Sequence, residues 1–323
     1  MQNLYSLANI NRIDVERLHP MADKAHLQMF QEADRLGIAL PSFHEYTNMS
    51  SYIFTYHEVS FERLLTIGLL NNLLFWIDDT LDRNKSNTPD FTEKIMMFEA
   101  AINVLKGKHP ASHSHPVLMT CELLSERFNK MASQEWLKRF INHTYRHLNA
   151  STYDIDDIMN VTQNYSVQDY IEHRDMDSGM EAEIDLIEFA YDFTLPDYVR
   201  DHAVLKEARK MTMRIGGLMN DMFSYEKEVI KLNSGYNLLA VISKQSLDIV
   251  EAVDYASQLI NSYTNTFLSL EDSLPVFEDE TLNENVCLYY QGLRDQINGT
   301  WHWQFSGTNR YKSPTSPFKE LRI

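Results

Sequence analysis

The chain has 323 residues with 46 acidic and 29 basic side chains, a formal charge of −17. Such a surface repels nucleic acid and anionic lipid and excludes both as main partners, and no apolar run reaches the roughly 18 residues that a membrane span needs. Two cysteines, Cys121 and Cys287, argue against a disulfide framework and the N-terminus lacks a secretory pattern, so a soluble cytoplasmic protein is expected.

Glycine and proline are scarce, at 10 and 9. The long stretches between prolines carry apolar residues at three- and four-residue spacing, as in Leu65, Leu69, Leu73, Trp76 and Ile77, or Val286, Tyr289, Tyr290 and Leu293. This period predicts helices over 22–37, 57–83, 90–106, 115–130, 132–150, 166–174, 180–193, 197–231, 247–270 and 284–304. The fold class read from it is all-α, a helical bundle forming one domain over 1–323. About 20 N-terminal and about 15 C-terminal residues serve as lid or tail segments.

The first chemical signal closes the second predicted helix. In "FWIDDTLDR", Asp78, Asp79 and Asp82 project within roughly a 100° arc. Three like charges near a helix C-terminus need a compensating cation or bulk water. Oxygen donors of this kind suit Mg2+, which completes its octahedron with waters and phosphate oxygens. The bland counterpart is a solvated helix end, and the apolar approach "LLNNLLFWI" weighs against it by placing the cluster at the mouth of something buried. Next along the chain, "TYDIDDIMN" offers Asp156, Asp157 and Asn160, read as a cap or turn. Arg174 stands between Glu172 and Asp175, where a surface ion pair is the plain alternative.

The second signal is "NDMFSYEKE". Asn220, Ser224 and Glu228 stand at i, i+4 and i+8, drifting only about 40° per step, so three oxygen donors form one stripe. They could hold a further Mg2+, with Lys227 beside them as a point charge for phosphate; alone, the same stripe could be a wet helix face. The tail "GTNRYKSPTSPFKELRI" has no apolar period and is expected to be a loop or a segment ordered by ligand.

Together these motifs resemble the class I terpene synthases. "DDTLD" matches that family's aspartate-rich motif, and "NDMFSYEKE" matches its N-D-x-x-S-x-x-x-E motif at every defined position, 142 residues from Asp78 to Asn220. Arg174, 46 residues before Asn220, stands where the family has a diphosphate-sensing arginine. Asp177 is the linker residue and Ser178 the effector, with Gly179 behind it; glycine is frequent at the effector position, so Ser178 departs from the commoner pattern. Arg310-Tyr311 matches a terminal Arg-Tyr pair. Gln304 occupies the slot where the family usually has tryptophan, flanked by Trp301 and Trp303.

The resemblance implies an isoprenoid-synthase bundle around an apolar cavity, three Mg2+ ions and a prenyl diphosphate substrate. Catalytic roles fall to Arg174, Asp177, Ser178, Lys227, Arg310 and Tyr311, and metal binding to Asp78, Asp79, Asp82, Asn220, Ser224 and Glu228. Phe54, Phe75, Gly179, Trp301 and Trp303, with Arg174, Lys227, Arg310 and Tyr311, contact substrate, the aromatic faces stabilising positive charge. The implied reaction is ionisation and cyclisation of farnesyl diphosphate to a sesquiterpene hydrocarbon or alcohol. A diterpene synthase using geranylgeranyl diphosphate, a chain-elongating prenyltransferase and a non-catalytic isoprenoid-binding helical protein are the alternatives. The resemblance leaves room for a homodimer.

Overall fold

The structure, a computed structural model, describes residues 4–39, 48–80, 90–108, 114–150, 166–245 and 248–323. The chain forms α1 (Ala22–Leu36), α2 (Met49–Ile53), α3 (Phe61–Thr80), α4 (Asp90–Leu105), α5 (Pro116–Met131), α6 (Gln134–Ala150) and α7 (Val167–Asp177). Then follow α8 (Met180–Ala190), α9 (Asp197–Arg200), α10 (Ala203–Tyr225), α11 (Leu238–Ser243), α12 (Ile249–Ser269) and α13 (Glu280–His302). Among the described residues extended structure is limited to two isolated bridges, Tyr5 with Phe318 and Ser313 with Arg322. The protein is all-α, and no described helix is long and apolar enough to cross a membrane.

The helix expected over 197–231 is interrupted. His202 caps α10 by accepting from Val204 N, which sets α9 apart as a single turn. Beyond Tyr225 the same rod widens into a π-helical segment, Glu226–Lys231. The last predicted helix likewise ends in a π turn, Trp303–Gly307. Helices α2 and α11, five and six residues long, are additions.

The chain divides into two compact units. One comprises Arg17–Asp154 and Glu181–Thr194. Its α3 is buried almost all round, and Gly68 lets it lie against α1 and α2, because a Cβ there would fall 2.2 Å from Met29 Sδ and 3.1 Å from Ser50 Oγ. Phe128, Trp136, Phe140 and Phe189 form an aromatic knot, with Trp136 and Phe140 stacked at 4.9 Å; such pairs contribute about 0.5–1.5 kcal/mol each beyond burial.

The other unit comprises Met1–Glu16, Ile155–Met180 and Leu195–Ile323. Its central rod is α10, packed on α7, α11, α12 and α13. Capping boxes start α7 at Ser166/Asp169 and α12 at Asp248/Glu251. The tail is held by protein groups. Glu226 accepts from Ser313 at 2.7 Å and Thr315 at 2.6 Å, and backbone bonds tie Tyr5 to Pro317 and Lys319.

Candidate active site

In the unit that carries α3, Asp79 is buried and Asp78 half-buried on the last turn of that helix. Phe75, one turn earlier, is half-buried, and Phe54 is fully buried just after α2. Asp82 lies outside the described residues, as do Asp156, Asp157 and Asn160. Among the described residues no group of three or more His, Cys, Asp or Glu is placed to hold a metal; the downstream stripe carries one carboxylate only.

In the other unit, α10 presents Asn220, Ser224 and, through the π segment, Glu228. A π turn spends more residues per revolution than an α turn, so it undoes part of the drift that strict i, i+8 spacing would give Glu228. Two glycines bring α7 against this rod. A Cβ on Gly217 would stand 3.2 Å from Ser178 Cβ and 3.5 Å from Arg174 Cγ. Gly179 turns the chain between α7 and α8 with φ of 75°, a left-handed conformation that side chains disfavour.

This approach places Arg174 over the stripe. Its Nε donates to Asp221 Oδ1 at 3.1 Å, Nη1 to Asp177 Oδ1 at 3.1 Å and Nη2 to Asn220 Oδ1 at 3.2 Å. Asp175, its other near neighbour in sequence, pairs with Arg214 at 3.1 Å. Asp221 is fully buried and also accepts from Tyr170 OH at 2.6 Å and Leu238 N at 3.1 Å. Burial pushes its carboxyl upward and the Arg174 charge pulls the other way. For Arg174, burial opposes the charge, but Asp221 and Asp177 together hold the guanidinium firmly protonated.

Asn220 is gripped from its other end, its Nδ2 donating to Tyr311 OH at 3.0 Å and Gln304 Oε1 at 3.1 Å. Glu228 Oε2 accepts from Asn237 Nδ2 at 2.9 Å, and the same nitrogen lies 2.9 Å from the Asp221 carbonyl. Ser224 is buried, and its Oγ has no hydrogen-bond partner among the described residues. Ser178 ends α7 and accepts from Met180 N at 3.3 Å. Lys227 and Arg310 are half-buried.

The indoles separate. Trp301 packs between Phe223 at 5.3 Å and Phe305 at 5.7 Å, with Arg12 above it. Trp303 meets Tyr311 edge-on at 6.2 Å. Arg174, Asp177, Asn220 and Tyr311 therefore form one bonded cluster. Asp221, Tyr170, Asn237 and Gln304 belong to it as well, beyond the site residues that the sequence marks. Asp221 could have been noticed from its place inside the motif, whereas the other three carry no local signal.

A family profile described as terpene synthase family 2, C-terminal metal binding, matches residues 69–266. A (+)-T-muurolol synthase from Roseiflexus castenholzii is 28% identical over 250 residues, 77% of this chain and 74% of its own. A 10-epi-cubebol synthase from Sorangium cellulosum is 24% identical over 266 residues, 80% of this chain and 81% of its own. Among solved structures, a variant of cucumene synthase superposes with a TM-score of 0.77 at 23% identity, covering 91% of this chain and 99% of that one. Germacradien-4-ol synthase from Streptomyces citricolor gives 0.75 at 19% identity, over 91% and 99%. Those two share the all-α fold. With a family match across most of its length, the chain belongs to terpene synthase family 2.

Proposed function

We propose that this terpene synthase ionises and cyclises farnesyl diphosphate, releasing diphosphate and a sesquiterpene. The Roseiflexus relative is named for cyclising (2E,6E)-farnesyl diphosphate, and an α-muurolene synthase of Coprinopsis cinerea is 33% identical over 145 residues, 45% of this chain and 34% of its own. The observation that carries the reading is the guanidinium of Arg174 shared among Asp177, Asp221 and Asn220. It is a cation held beside the metal-type motif with donors that a diphosphate can claim.

The donor set fits magnesium. Asn220 Oδ1, Ser224 Oγ and Glu228 are hard oxygens, and the Ser224 hydroxyl is buried without a partner among the described residues. Asp78, Asp79 and Asp82 are the carboxylates that would hold further magnesium, three ions being the number expected with diphosphate bound. When bound, magnesium neutralises the diphosphate and makes it a better leaving group.

The chain's own groups do the rest. Arg174 exchanges the Asn220 oxygen for phosphate oxygens while Asp177 keeps it oriented. Lys227, Arg310 and Tyr311 add donors to the same anion. Ser178 and Gly179 set the turn that carries this arginine, and the electrostatic gain grows as water leaves the site. The allylic cation left behind meets aromatic faces, for which Phe75, Phe54, Trp301 and Trp303 are the candidates.

The test is product analysis with ten-, fifteen- and twenty-carbon prenyl diphosphates, with and without magnesium. Cyclic fifteen-carbon products are expected only with the metal. In Asp78→Ala or Asn220→Ala they should disappear while the helical circular dichroism signal persists. Normal product formation by both variants would refute the assignment.

A further inference from the structure

In "LLNNLLFWIDD" the helix α3 carries two adjacent asparagines in its middle. Asn71 is 2% exposed and Asn72 is 0% exposed. Neither the oxygen nor the nitrogen of either amide has a hydrogen-bond partner among the described residues. A buried primary amide left dry is costly, and native chains rarely tolerate one without a reason. The same helix shows the ordinary solution: Thr66 buries its hydroxyl and donates to the Glu62 carbonyl at 2.8 Å. An asparagine amide has four hydrogen-bonding positions to satisfy, and Leu70 and Leu73, which flank the pair in sequence and are themselves buried, cannot serve them.

Helical register gives the pair an address. Asn71 stands seven residues before Asp78 and Asn72 seven before Asp79, so each lies within about 20° of its aspartate and about 10.5 Å along the axis from it. Phe75 falls between them, one turn above Asn71. The side of α3 that ends in carboxylates thus has a second, neutral polar step two turns earlier, interrupting an otherwise apolar wall.

We propose that Asn71 and Asn72 hold water within the reaction chamber, and that this water captures a late carbocation, so that the product includes a terpene alcohol. The inference rests on the function proposed above and specifies the fate of the cation. A water oxygen held by an amide donates its lone pair to the cationic carbon, forming the new C–O bond. The resulting oxonium loses one proton to a second water or to the released diphosphate. Nothing is oxidised or reduced. A neutral amide suits this role because it orients water through both donor and acceptor, whereas a carboxylate at the same place would deprotonate the cation to an alkene. Water must be present but immobile, since free water would trap the first cation unselectively.

The experiment is turnover of the fifteen-carbon diphosphate in water enriched in the heavy oxygen isotope, with mass spectrometry of the products and a parallel count of diphosphate released. The wild-type protein is expected to release a labelled alcohol. Asn71→Leu and Asn72→Leu replace each amide by an apolar side chain of similar size. At least one should lower the alcohol share about tenfold or more, with hydrocarbon in its place, while diphosphate release stays within about threefold. The melting temperatures of both should hold or rise, because each lost amide bonds held water and no described protein group. Unlabelled, oxygen-free products from the wild type, or an unchanged alcohol share in both variants, would overturn the inference and leave the cyclase reading standing. A lower melting temperature in both variants would overturn it as well, by assigning the amides a structural role. Absence of magnesium-dependent diphosphate release from the wild type would instead remove the reading on which it rests.

Discussion

Thr212, Ser257 and Thr264 all bury hydroxyls inside long helices, and each donates to the carbonyl four residues back, Ala208, Val253 and Ile260, at 2.8 to 3.0 Å. Ser224, equally buried, does not. The local solution is available to it and unused, which fits an oxygen reserved for an external partner. Ser224→Ala should therefore leave the melting temperature within about a degree and lower turnover by about ten- to a hundredfold, with a raised magnesium requirement. A thermal scan alongside a magnesium titration of diphosphate release measures both. Glu183 behaves in the opposite sense. Burial raises its carboxyl from 4.5 to about 8, so the folded chain holds that proton more tightly than the unfolded chain does. This contribution is fully present below pH 4.5 and drains away as pH climbs through about 8. Glu183→Gln should melt several degrees higher than the wild type at pH 9 and show little difference at pH 5, and equal shifts at the two pH values would show that Glu183 is not the group responsible.

Among the elements, the contact of α7 with α10 decides whether Arg174 reaches Asn220, and of two adjacent glycines on α10 Gly216 faces the start of α8 while Gly217 faces the end of α7. A Cβ on Gly216 meets the flexible end of Met180 at 2.6 Å, which can swing away. A Cβ on Gly217 meets Ser178 Cβ at 3.2 Å, on the turn that carries Arg174. Gly216→Ala should thus be nearly neutral, since alanine also favours the helix by up to about 1 kcal/mol. Gly217→Val should cost about 1–3 kcal/mol and reduce turnover further than that loss explains; denaturant unfolding and steady-state kinetics on the pair separate the effects. This contact also marks the limit of what the sequence discloses. The long helices are legible because a 3.6-residue period repeats over four or more turns. The two short helices, Met49–Ile53 and Leu238–Ser243, hold too few turns for a period to emerge. The π turn at Glu226 leaves no mark, because widening a helix changes which residues align without changing their types. Asn220 and Arg174 are legible as a spacing, but Gln304 reaches Asn220 from 84 residues away, and Tyr170 and Asn237 bond Asp221 and Glu228 through tertiary packing that no local pattern encodes. Gln304 is the clearest case: its sequence slot attracts notice for lacking a tryptophan, while its bond to Asn220 emerges only from the fold.

At the scale of the whole molecule, a chain of charge −17 must receive an anionic substrate. Two fields compete for the encounter. The global field repels the diphosphate and acts over a Debye length of about 10 Å at 0.1 M salt. The local field around Arg174, Lys227 and Arg310 would attract it, but Arg174 already shares its charge with Asp177 and Asp221. The sum at distance is therefore repulsive, and screening it should help association. With free magnesium held constant, kcat/KM should rise a few-fold as salt increases from about 20 to about 150 mM, with kcat nearly unchanged, since salt acts on the approach and not on the enclosed chemistry. Charge-neutralising variants of exposed acids outside both motifs, such as Glu280→Gln with Glu284→Gln at the start of α13, should raise the low-salt value and flatten the profile. A steady fall of kcat/KM over the same range would mean that the three basic side chains govern capture despite their acidic surroundings, and the substrate would then be steered by the site itself.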